Sequence, residues 1–195
     1  IPIMAGFIAL ADVFIPVYLG EGFEKSAELM KIFAPIIVIV GMANIVGVSF
    51  LIPINKQNVY LVSVVAAAAV NLCLNFILIP GFYSVGAAIS SVIAEFISIC
   101  IQFIYIFRKK LLKAKNVFLP AIKYTIAGII MFAAIDLLKL LLPVNVSALL
   151  LLIAAGVIIY FAILLLLRDE FLMEFIRKFF SAIHARLRNS NHEKQ

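Results

Sequence analysis

Ser91, Glu95, Ser98 and Gln102 fall three or four residues apart in a stretch otherwise made of Ile, Val, Ala and Phe. On a helix they share one face and form a polar stripe with a single carboxylate in it. A carboxylate in such surroundings suits exchange of a proton or a monovalent cation, or lining of a polar substrate's path; it also suits a protonated or hydrogen-bonded packing residue, and the residue types leave both readings open. Asn71 and Asn75 are one helical turn apart and share a face, where their amides can bridge helices or hold a polar substrate. Asn44 reads the same way, and Pro35, Gly41 and Gly47 around it make that segment a candidate hinge. Asp12 carries the same ambiguity as Glu95. Lys123 and Lys139 are placed to snorkel from opposite ends of one segment, with Asp136 three residues before Lys139 as its natural partner.

What is missing narrows the chemistry. Both histidines, His184 and His192, fall in the polar C-terminal tail, so an intramembrane imidazole base or metal ligand is not expected. Cys73 and Cys100 sit in apolar runs without ligand spacing or basic neighbours and read as packing residues. There is no phosphate-binding glycine loop of the Walker type and no Ser/His/Asp set within the apolar segments. No catalytic residue, metal site or cofactor is assigned, and transport fits the inventory better than an enzyme.

The elements that must position these residues follow from composition. Of 195 residues, 66% are apolar and 13% charged, against roughly 45–50% and about 25% in soluble domains. Six apolar stretches, at about residues 1–19, 29–52, 59–79, 85–107, 121–142 and 146–167, each approach the roughly 20 residues a helix needs to cross the hydrocarbon core. The expected class is an all-α membrane protein with a bundle over residues 1–167. Continuous apolar runs exclude the alternation of a porin-type barrel.

The net charge of +6 does not point to nucleic acid, because the cations sort by loop. The second and fourth loops and the tail carry Lys56, then Arg108, Lys109, Lys110, Lys113 and Lys115, then Arg168, Arg177, Lys178, Arg186, Arg188 and Lys194. The remaining loops carry only Lys25 and Lys31. That asymmetry places the even loops and the tail in the cytoplasm. Over residues 168–188 the pattern becomes amphipathic, with Leu172, Phe175, Ile176, Phe179, Phe180, Ile183 and Leu187 beside a cationic face, which reads as a helix lying on membrane lipid. Residues 189–195 read as a disordered tail. The chain opens on Ile1 inside an apolar run, so it is expected to be the C-terminal part of a longer protein.

One series of short words runs in order within the first half of the chain: Gly47 with Leu51-Ile52-Pro53, Asn55 and Tyr60, then Val70-Asn71-Leu72-Cys73-Leu74-Asn75, Leu78-Ile79-Pro80, Gly86-Ala87-Ala88-Ile89 and Ile93-Ala94-Glu95. In this order they resemble the polysaccharide-transporter branch of the multidrug/oligosaccharidyl-lipid/polysaccharide exporter superfamily, the flippases of lipid-linked repeat units. The likeness covers roughly residues 1–106. It departs at Tyr83, where a turn glycine is expected.

The resemblance implies the C-terminal portion of a two-lobe exporter working by alternating access, with a missing N-terminal lobe as its first partner. The implied substrate is a lipid-linked oligosaccharide on polyprenyl diphosphate, moved across the bacterial cytoplasmic membrane for cell-surface polysaccharide biosynthesis. Two rival readings are a cation-coupled drug or metabolite exporter of the same fold and a non-transporting scaffold that docks glycosyltransferases or a polymerase through the tail.

Overall fold

Five helices carry nearly all of residues 1–169, 171–174 and 177–178, the part of the chain described by the computed structural model. Pro2 opens α1 (Pro2–Leu19) at a position where its missing N–H breaks no hydrogen bond. Gly20 and Gly22, at φ 89° and 93°, end it in the left-handed conformations that glycine tolerates best. α2 (Glu24–Asn44) continues into a seven-residue π-helix, Ile45–Leu51, so the apolar rod is 28 residues long and begins one turn before the expected span. α3 (Gln57–Arg108), α4 (Ala114–Lys139) and α5 (Val146–Leu166) follow. Asn145 caps α5 by accepting from the Ala148 N–H at 2.7 Å.

All five helices are long and apolar enough to cross a membrane, and there is no strand among the described residues. The expected spans at 59–79 and 85–107 fall in one helical element of 52 residues. Fully extended, such an element would reach about 78 Å at about 1.5 Å per residue, well beyond the ~30 Å hydrocarbon core. It is not extended. Tyr83, at φ 49° and ψ −124°, breaks the helical path, and the two halves return along each other: Asn71 meets Ser91, and Ser63 meets both Ser98 and Gln102.

α1 is the common packing partner. Its small residues let neighbours approach from several sides: Ala5 and Ala9 meet Ala127, Met131 and Ile135 of α4 and Leu149, Leu152 and Tyr160 of α5, while Ala11 and Ile15 meet Ala27 of α2. An ion pair of 2.6 Å between Asp12 and Lys31 ties α1 to α2. A separate core joins the end of α2 to the far ends of α3 through Ala43, Val46, Leu51, Ile99 and Ile106. α5, nearly devoid of polar residues, buries one stripe, Leu149, Leu152, Gly156, Tyr160 and Leu164, and exposes its other faces. Asp136 and Lys139 pair at 2.6 Å, as their spacing predicts.

Three helices end in the same way. After the π-helix the Asn55 and Lys56 N–H groups bond back to the carbonyls of Ile52 and Leu51, after α3 those of Lys110 and Leu111 bond to Phe107 and Ile106, and after α5 those of Arg168 and Asp169 bond to Leu165 and Leu164. Each is a Schellman cap, with Asn55, Lys110 and Arg168 at φ 57°, 54° and 47° where glycine is usual. Asp169 then starts a further turn, its carboxylate accepting from the Leu172 N–H at 3.0 Å. Of the amphipathic helix expected over 168–188, Arg168 and Asp169 belong to the cap of α5 and Phe171 to Glu174 and Arg177 and Lys178 are helical; residues 170, 175–176 and 179–188, and the tail 189–195, lie outside the described residues.

Tyr83 has the backbone of the first central residue of a type II′ turn, a glycine position, and its side chain is exposed. Replacing Tyr83 with Gly should therefore relieve strain without loss of packing and stabilise the protein by about 1 kcal/mol. The check is thermal unfolding of the detergent-solubilised protein, with a rise in Tm expected.

Candidate functional site

The fold-back at Tyr83 brings the two polar stripes of α3 face to face. At the end near the turn, Asn75 Nδ2 donates to Asn71 Oδ1 at 2.9 Å, and Asn71 Nδ2 reaches Ser91 Oγ at 3.4 Å. At the other end Gln102 Nε2 donates to Ser63 Oγ at 3.0 Å, Ser98 Oγ lies 3.4 Å from the same oxygen, and Ser63 in turn donates to the Tyr60 carbonyl at 2.7 Å. Ser63, Ser98 and Gln102 are all buried. Two amide oxygens inside this seam, Asn75 Oδ1 and Gln102 Oε1, accept from no group.

Glu95 stands on the stripe between these two bonded layers. It is half-buried, and among the described residues no hydrogen-bond or ion-pair partner reaches it. A carboxylate so placed, with hydroxyls a turn away on either side, can take up and release a proton or a small cation; a carboxylate already locked in an ion pair cannot do so cheaply.

The seam is narrow because small residues line it. An added Cβ at Gly86 would stand 2.5 Å from the Leu78 carbonyl oxygen, so the two halves touch backbone to backbone there. Ser90, next on that face, turns its hydroxyl back to the Gly86 carbonyl at 2.8 Å and spends it locally. Gly47, in the π-helix, lets the Tyr60 ring and the Gln102 amide lie directly against the α2 backbone. A π-turn widens the helix at one point and is common next to functional sites. Pro35 lies within α2 and Gly41 is exposed with open space around it.

Other polar residues singled out in the sequence lie elsewhere. Asn44 is exposed at the end of α2, and Asp12 is exposed and held by Lys31. Ser63, the hub of the inner layer, was not among them: it lies about 80° around the helix from Asn71 and about 120° from Asn75, so spacing alone does not join it to their face. Lys31 as the partner of Asp12 required knowledge of how α1 packs on α2. Among the described residues no group of His, Cys, Asp and Glu is placed to hold a metal ion.

A second feature is wholly apolar in character. A groove of about 530 Å³ runs between α1, α4 and α5, lined by Ile3, Phe7 and Leu10, by Met131 and Ile135, and by Ile153, Val157 and Phe161. Its wall carries no charged group, and Tyr160 supplies the sole hydroxyl. Such a volume is that of a small-ligand pocket, and such a lining suits a hydrocarbon chain.

The seam yields a comparison of two glycines. Gly86→Ala should cost more than Gly47→Ala, because the first sets a methyl against a backbone carbonyl and the second against a ring able to swing aside. About 3 kcal/mol and about 1 kcal/mol are expected from the usual range for overpacking. Equal losses in chemical denaturation would show that the α3 halves do not meet at Gly86. Compared with protein-family models, with characterised proteins and with solved structures, the chain matches none.

Proposed function

We propose that this chain is part of an integral membrane flippase that moves polyprenyl-diphosphate-linked oligosaccharide across the bacterial cytoplasmic membrane by alternating access, with its basic loops on the cytoplasmic side. In this reading the polypeptide crosses the bilayer six times, α3 contributing two crossings joined at Tyr83, and the contacts of Ser63 with Ser98 and Gln102 support that count. The six crossings would form most of the C-terminal lobe of a two-lobe exporter.

The observation that carries the reading is the groove between α1, α4 and α5. A lipid-linked cargo must keep its tail in hydrocarbon while its head crosses, and a charge-free channel flanking the bundle supplies the tail's half of that requirement. The sugar and diphosphate need polar and cationic surfaces, which the α3 seam and a second lobe would provide. The ordered words from Gly47 to Glu95 support the same conclusion.

Glu95 favours a second reading, a cation-coupled exporter of small molecules on this fold, because an unpaired, half-buried carboxylate is what proton or sodium coupling requires. The two readings differ in cargo, and in the second Glu95 is the coupling carboxylate.

Leaflet translocation by the full-length protein in proteoliposomes tests both, with a fluorescent polyprenyl-diphosphate oligosaccharide offered beside a cationic dye. The lipid is expected to move and the dye is not. Val157→Trp, at an exposed groove position, should slow the lipid about tenfold by removing on the order of 1.4 kcal/mol of tail binding. Glu95→Gln should abolish any dependence on a proton or sodium gradient. Movement of the dye alone would replace the flippase reading with the exporter, and movement of neither by folded protein would favour the scaffold.

A further inference from the structure

At the end of α3 remote from Tyr83, its two halves enclose a groove of about 640 Å³ that differs in kind from the apolar one. One end is polar and cationic, formed by Arg108 and Lys109 with the Asn58 amide and the Tyr105 hydroxyl. The wall below is apolar: Val59 and Val62 from the first half, Ile101 and Ile104 from the second. Ile101, Ile104, Tyr105 and Arg108 recur at three- and four-residue steps, so they form a single face of the helix. Val62 and Ile104 are exposed, which leaves that face open to the surroundings of the bundle.

Among the described residues no carboxylate pairs with Arg108, Lys109 or Lys110, and the sequence holds no acidic residue between Glu95 and Asp136. The cations are also held in place. The Schellman cap that ends α3 fixes Arg108 and Lys109 at the groove's rim and keeps Lys110 at φ 54°, where glycine is usual. A rigid fork-shaped guanidinium beside an ammonium is a phosphate receptor. A free phosphate would have no use for the apolar wall, whereas a phosphate carrying acyl chains needs it.

We propose that this groove binds an anionic glycerophospholipid, its phosphate against Arg108 and Lys109 and one acyl chain along Val59, Val62, Ile101 and Ile104. The site rests on the membrane placement of the helices and is independent of which cargo the protein moves. Its lipid is a resident of the leaflet that the basic loops face, binding where charge and hydrocarbon meet at one helix end.

The test uses full-length protein in phosphatidylcholine nanodiscs doped with a photoactivatable phosphatidylglycerol, with crosslinked peptides mapped by mass spectrometry. Crosslinks are expected within residues 57–62 and 101–109. The double substitution Arg108→Gln with Lys109→Gln should weaken phosphatidylglycerol capture about thirtyfold, and Arg108→Lys, which keeps the charge and the helix end, should lose far less. Val62→Trp should also reduce capture, and millimolar inorganic phosphate should not compete. Equal capture of a matched phosphatidylcholine probe, or a double variant indistinguishable from the parent, would overturn the proposal. Displacement by inorganic phosphate with Val62→Trp unaffected would assign the cations to a soluble anion and overturn it equally. Failure of the protein to enter bilayers would remove the membrane reading together with this one, whereas loss of lipid flipping with capture intact would remove only the flippase.

Discussion

The contact between the two halves of α3, closest where Gly86 meets the Leu78 carbonyl, is the constraint on which the rest of this structure depends. Two helical segments that approach backbone to backbone leave no room for long side chains between them, so the seam selects Ser, Ala, Asn and Gly. Those residues bring hydroxyls and amides into a dry space, where each gains by finding a partner, across the seam as for Gln102 or on its own helix as for Ser90. Ser63 satisfies this by serving Gln102, Ser98 and the Tyr60 carbonyl together. The Tyr60 ring lies against Gly47, where the π-helical end of α2 meets α3.

A consequence is that polarity within this bundle has two different meanings. Asn71 with Ser91 and Ser63 with Gln102 bond across the seam and hold the two halves of α3 together. Glu95, between them and unpaired, is held in place by those layers without being neutralised by them. A residue's depth in an apolar segment does not distinguish these roles; its partners do.

The segments themselves were legible in the sequence because an apolar run near 20 residues has few alternatives, and the shared face of Ser91, Glu95, Ser98 and Gln102 follows from helical spacing alone. The pairing of Asp136 with Lys139 was legible for the same reason, being local. What escaped was every feature set by a partner distant in sequence: Lys31 for Asp12, Ser63 as a hub, and the buried stripe on α5. Leu149, Leu152, Gly156, Tyr160 and Leu164 differ too little from the other residues of α5 for hydropathy to separate packed from exposed faces. The Schellman caps were hidden differently, because Asn55, Lys110 and Arg168 replace the glycine that would have announced them.

Those three caps also constrain how the bundle can move. Lys56, Arg108 to Lys110, and Arg168 are all within two residues of a helix end and, through the cap hydrogen bonds, rigidly joined to it. Sliding any of these helices along its axis by more than a few ångströms toward the opposite face would draw a cation into hydrocarbon, at a cost of several kcal/mol. Tilting costs much less, since each cation then stays at the surface. The rim of charges therefore favours tilting over sliding, with Gly20 and Gly22 linking α1 and α2 at the opposite end.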